Sequence, residues 1–144
     1  MAQWALPVLL FTGIPVLWIW VAEVAEEGDD MLFAFICFDR PGKADLRQSI
    51  RAEHIEYMMA AKDQTVFGGP LQDDRGDITI GSIFAIDFVN REEAEAFIAD
   101  EPYTKYGLFD PPQIHPWKQM VPEKEEGSLQ RELDRQKALI SESI

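Results

Sequence analysis

TVFGGPLQDDRGDITIGSIFAIDFV, residues 65–89, decides the fold of this chain. Two runs rich in β-branched and aromatic residues flank Asp73-Asp74-Arg75-Gly76-Asp77, a polar turn whose glycine accepts a positive φ. The pattern predicts a hairpin, with one strand over Thr65 to Leu71 and a longer one over Ile78 to Val89, interrupted by Gly81-Ser82. A helix is predicted on each side of it. At about 3.6 residues per turn, Leu46, Ile50, His54, Tyr57 and Ala61 share one face of residues 43–62, with Arg47, Arg51 and Met58 on its borders. After the hairpin, Asn90 is a natural N-cap for a helix carrying Ala94, Phe97 and Ile98 and ending near Asp100.

Farther out lie two more apolar runs. MLFAFICF, Met31 to Phe38, reads as a buried strand closed by the turn Asp39-Arg40-Pro41-Gly42; QIHPWKQMV, Gln113 to Val121, supplies the last strand. Between the second helix and that strand, Pro102 breaks or restarts the helix and residues 103–109 form a short turn ending near Gly107. The order strand, helix, strand, strand, helix, strand predicts an α+β domain of split βαβ, ferredoxin-like type. Its four-stranded antiparallel sheet carries both helices on one face. The other face stays apolar and uncovered, so a homodimer packing sheet on sheet is expected if the domain is free-standing.

Residues 1–22, MAQWALPVLLFTGIPVLWIWVA, hold no charged side chain. At about 1.5 Å rise per residue they reach roughly 30 Å, the hydrocarbon thickness of a bilayer. Trp4 stands near one end and Trp18 and Trp20 near the other, where interfacial rings belong. Pro7 and Pro15 are tolerated in membrane helices. A single-pass transmembrane helix is therefore expected, followed by an acidic linker (23–30), the domain (31–121) and an acidic helical tail (122–144). Arg40, Lys43, Arg47 and Arg51 all follow the span, which favours a body on the cytoplasmic side. Three competing readings stand beside the anchor. A cleaved signal lacks a basic start and a good cleavage site; translation from Met31 would leave a cytoplasmic domain; a buried core helix has no partner large enough to cover it. In the tail, Ser128 is a candidate cap, and Leu129, Leu133, Ile140 and Ile144 form a narrow stripe on an otherwise solvated helix.

The formal net charge of −13 repels phosphate backbones and excludes nucleic acid as a partner. The single cysteine, Cys37, cannot form an internal disulfide and reads as a small core residue. Two histidines cannot build a multi-histidine metal centre within one subunit, and there is no glycine-rich phosphate loop. The chain thus calls for no metal and no cofactor. His115, between Ile114 and Pro116, is read as structural. His54 differs, because it points from an apolar helical face toward the sheet and needs a hydrogen-bond partner there. Asp39, ending the first strand, and Glu101, at the break after the second helix, are the carboxylates in reach.

Met31-Leu-Phe-Ala-Phe-Ile, Arg51-Ala-Glu-His54, Gly68-Gly69-Pro70, Gly81-Ser82 and Glu101-Pro102-Tyr103-Thr-Lys-Tyr-Gly107-Leu-Phe occur in order and in register. Together they resemble the YciI-like (YCII-related) domain. The resemblance covers about Met31 to Val121 and implies a dimeric ferredoxin-like fold, similar to that of muconolactone isomerases and antibiotic-biosynthesis monooxygenase-type domains. It also implies a cleft centred on a histidine and an acid acting as a general acid/base pair, used by at least one relative in dehydrochlorination. Carried over, these are His54 and Glu101; the family's acid is Asp, so this chain is longer there by one methylene.

Two functions follow. The first is an accessory or assembly subunit of a membrane complex, anchored by residues 1–22. The alternative is a cofactor-free lyase or isomerase. In it His54 removes a proton next to a carbonyl or halide, Glu101 or Asp39 orients the imidazole, and Arg51, one turn before His54, holds a substrate carboxylate. Gly69, Pro70, Ser82 and Tyr103 complete the expected substrate-binding set. An open pocket beside His54 favours the enzyme; one filled by Tyr57 and Tyr103 favours the accessory subunit.

Overall fold

A computed structural model describes residues 31–142. The expected membrane span, the acidic linker and Ile144 lie outside the described residues. Among the described residues, no helix is long and apolar enough to cross a membrane.

The elements are β1 (Met31–Phe38), α1 (Ala44–Ala60), a 3-10 turn (Lys62–Gln64), β2 (Thr65–Gln72), β3 (Thr79–Phe88), α2 (Arg91–Asp100), α3 (Pro102–Lys105), β4 (Gln113–Pro116) and α4 (Ser128–Glu142). The strands form one antiparallel sheet in the order β2-β3-β1-β4. β3 and β1 occupy its centre, where both faces are best shielded.

Register explains the core. Phe33, Phe35 and Cys37 of β1 pair with Ile86, Phe84 and Ser82 of β3, and strand alternation sends all six to the same face. Ala94 and Ile98 of α2 join this layer, and Leu46, Ile50 and Met58 of α1 and Phe97 of α2 pack against it. Both main helices therefore cover one face, the ferredoxin-like arrangement. Burying each of these phenylalanines contributes about 1.5–3 kcal/mol. Phe35 stacks on Phe84 with ring centroids 4.9 Å apart. At the end of the β1–β3 ladder Gly81 is required, because a Cβ there would run into the Cys37 carbonyl oxygen. Asn90 caps α2 as expected, its side chain accepting from the Glu93 N–H at 2.9 Å.

The structure departs from the sequence reading at three places. The last strand stops at Pro116 rather than Val121. Pro116 has no N–H to extend the ladder, and after the Trp117 N–H donates to the Leu32 carbonyl the chain leaves the sheet. Trp117 then reaches across the outer face, meeting Phe67 of the opposite edge strand edge-to-face at 5.4 Å. Pro102 restarts the helix as α3, the second of the two outcomes expected of it, so residues 103–109 are not only a turn. In the tail, α4 forms with no buried residue, and the Glu123 carboxylate, rather than a Ser128 side chain, takes the Gly127 and Leu129 N–H groups at its start.

Candidate active site

α1 crosses the sheet so that Arg47, Arg51 and His54, spaced at three and four residues, look toward β2, β3 and the α2–α3 joint. They line an open cleft of about 320 Å³, whose far wall is Gly68-Gly69-Pro70 of edge strand β2 and Ser82 and Phe84 of β3. Pro70 is tolerated because, among the described residues, β2 is an edge strand. Gly68 lies beside Phe84, and even a methyl group there would come within 3.2 Å of the Phe84 Cβ.

One end of the cleft is closed by the α2–α3 joint. Glu101 is fully buried there and makes two bonds with one carboxylate. Its Oε2 accepts from the Thr104 N–H at 3.1 Å, capping α3, with Pro102 at the first helical position. Its Oε1 lies 2.5 Å from His54 Nδ1. Glutamate is a poor N-cap by rank, but here the extra methylene lets one side chain cap the helix and reach the imidazole. A carboxylate on Nδ1 fixes the ring's orientation and favours the tautomer with the hydrogen on Nδ1, leaving the Nε2 lone pair for the cleft. The His54 side chain is 17% exposed, enough to meet a ligand. Tyr103 stacks on the imidazole with centroids 4.1 Å apart, which holds the ring's tilt.

Asp39, the other candidate partner for His54, is engaged elsewhere. Arg47 Nε and Nη2 each bond its carboxylate at 2.6 Å, a bidentate pair with side chains only 10% and 11% exposed. Burial alone would lower the Arg47 pKa, but the bonds to Asp39 and its charge more than offset that, so the guanidinium is held charged. Arg47 also donates to Ser82 Oγ at 3.3 Å and lies 4.4 Å from the centre of the Tyr103 ring. It is a strut under Tyr103, and Tyr103 in turn supports His54. The sequence reading left Arg47 on a helix border; its position two turns before His54 on the cleft side was the available signal.

The remaining expected residues are placed as follows. Arg51, Gly69, Pro70, Ser82 and Tyr103 all line the cleft. Arg51 is exposed and makes no ion pair with any described residue. The buried Tyr103 hydroxyl has no hydrogen-bond partner among the described residues, and burial raises its pKa, partly countered by Arg47 and Arg51. Tyr57 does not fill the cleft, because its hydroxyl donates to the Phe97 carbonyl at 2.8 Å. Ile55, Met58, Lys62, Thr65 and Phe84 also line the cleft and were not in the expected set. His115 stands on the outer face, opposite Ala34 and away from the cleft. Cys37 is buried beneath the site; burial and the nearby Glu101 charge push its thiol up to about 12, which makes it unreactive. No cluster of three or more His, Cys, Asp or Glu side chains suited to a metal occurs among the described residues.

Fold and site together define an α+β sandwich with a histidine–carboxylate pair at the wall of an open cleft. Residues 31–118 match the YCII-related domain, and the chain belongs to that family. The 5-chloro-2-hydroxyhydroquinone dehydrochlorinase (TftG) from Burkholderia phenoliruptrix AC1100, solved in complex with 2,5-dihydroxybenzoquinone, is similar. It is 31% identical, the match covers 61% of this chain and 94% of that one, and the TM-score is 0.56. A putative antibiotic biosynthesis monooxygenase from Bacteriodes thetaiotaomicron VPI-5482 is 11% identical over 67% of this chain and 94% of its own, with a TM-score of 0.43. No curated protein shows a significant match.

Proposed function

We propose that the protein is a cofactor-free lyase or isomerase acting on a small oxygenated ring. The observation that carries this reading is His54, held at Nδ1 by a fully buried Glu101 and presented to an open cleft. In the proposed reaction His54 Nε2 takes a proton from a carbon next to a carbonyl. The electron pair of that C–H bond becomes a carbon–carbon π bond. In an elimination the C–Cl bond then breaks and chloride leaves with the electron pair; in an isomerisation the proton returns at another carbon. Glu101 stabilises the imidazolium that forms without taking its proton. Arg51 neutralises an acidic ring hydroxyl or carboxylate, and Tyr103, stacked on the His54 imidazole, holds it in place. The sequence likeness to a dehydrochlorinase supports elimination in particular.

This reverses the order of the two expected functions. The anchored accessory subunit turns on residues 1–22, outside the described residues, whereas the cleft is open rather than filled. A homodimer through the sheet remains a proposal; Phe38 and Phe67 are exposed apolar side chains that a second copy would cover.

The test is chloride release by the full-length protein from 5-chloro-2-hydroxyhydroquinone and related chlorinated rings. Release should exceed the blank and fall at least ~100-fold in His54→Asn. Release at the blank rate, or release indifferent to His54→Asn, would overturn the proposal.

A further inference from the structure

The cleft is longer than the histidine–carboxylate pair needs. Along α1 its lining runs Arg51, His54, Ile55, Met58 and then Lys62 in the 3-10 turn beyond the helix. At about 1.5 Å rise per residue, Lys62 stands roughly 12 Å along the axis from His54, on the side away from Arg51. Between them Ile55 and Met58 offer an apolar stretch facing β2. Thr65, opposite, has its hydroxyl committed to the Ala61 carbonyl at 2.8 Å and adds little polarity.

Charge sharpens the point. The whole chain carries −13, yet no Asp or Glu lines the cleft. Of its three basic residues, Arg47 is neutralised by Asp39, while Arg51 and Lys62 make no ion pair with any described residue. Two uncompensated cations at opposite ends, with apolar side chains between, suit a ligand with two anionic ends and an apolar middle.

We propose that the Ile55–Met58–Lys62 end of the cleft is a second subsite, which takes an apolar chain ending in a carboxylate borne by the ring that His54 acts on. Lys62 is then a specificity-determining residue. The inference rests on the functional reading above, since it uses the same cleft, but its test separates the two.

Two probes are compared by isothermal titration with the full-length protein: 2,5-dihydroxybenzoquinone, and the same ring bearing a four-carbon chain with a terminal carboxylate. Wild type should bind the tailed ring about tenfold more tightly, ~1.4 kcal/mol, as expected for one charge-assisted contact. Lys62→Met should remove that advantage while leaving the untailed ring unchanged; Lys62→Arg should keep it. Equal affinity of the two probes for wild type, or an advantage that survives Lys62→Met, overturns the subsite. If neither ring binds, both the subsite and the reading of the His54 cleft fall together. If the untailed ring binds and only the tail adds nothing, the subsite alone falls.

Discussion

Removing Arg47 should cost this domain a large part of its stability, because the residue completes a nearly buried ion pair rather than decorating a surface. Its guanidinium meets Asp39 through two 2.6 Å bonds, reaches Ser82 and lies 4.4 Å from the centre of the Tyr103 ring. Arg47→Met keeps much of the apolar stem but leaves the Asp39 carboxylate, 11% exposed, without its counter-charge. Orphaning one member of a buried pair costs about 3–5 kcal/mol. The slight exposure of Asp39 lets some water in, so the lower end, about 3 kcal/mol, is expected. For a domain of this size each kcal/mol lowers Tm by about 4–8 °C, so Tm should drop by roughly 12–24 °C. The assay is denaturant unfolding of the full-length protein followed by circular dichroism, with Asp39→Leu and the double variant completing a cycle. The double variant should be less destabilised than the sum of the singles by at least ~1.5 kcal/mol, since it leaves no orphaned charge. A loss below about 1 kcal/mol for Arg47→Met, the range of an exposed pair, would refute the description of Arg47 as the strut of the site.

Gly81→Ala forces a methyl group against the Cys37 carbonyl at the end of the β1–β3 ladder, and should cost about 2–3 kcal/mol in the same unfolding assay. The Asp73 carboxylate accepts from the Asp77 and Ile78 N–H groups, and the bond from Ile78 chiefly holds its pKa below the ordinary value. Its contribution is therefore present above the ordinary carboxylate range and lost as pH falls; Asp73→Asn should flatten the acid limb of a stability–pH curve, and an unchanged limb would contradict the hairpin geometry. Cys37 should resist iodoacetamide in the folded protein at pH 8 and react at the rate of a free thiol once unfolded, measured by intact mass.

Much of this molecule was legible in its sequence. The hairpin of residues 65–89 and the flanking helices have clear periodicity, and the continuous apolar run Met31–Phe38 marked a buried strand, although which of its residues share a face with Phe33 and Phe35 was fixed only by the pairing with β3. His54 was found because it is polar on an apolar face. What stayed hidden depends on tertiary approach. Nothing local distinguishes Asp39 from Glu101 as the partner of His54; the choice is made by Arg47, which engages Asp39 and leaves Glu101 to the imidazole. The last strand was read through to Val121 although Pro116 carries the stop signal, and the course of Trp117 across the sheet to Phe67 stayed hidden because no sequence periodicity links the two edge strands.

In the proposed function His54, set by Glu101, transfers a proton to and from carbon. It is tested most directly by following exchange of the ring C–H hydrogens of 2,5-dihydroxybenzoquinone for deuterium in D₂O by proton NMR. The wild-type protein should accelerate exchange over buffer; His54→Asn should lose at least ~100-fold of that acceleration, and Glu101→Gln should lose much of it, while both variants still bind the ring. Exchange at the buffer rate in wild type with the ring bound, or full acceleration in His54→Asn, would contradict it.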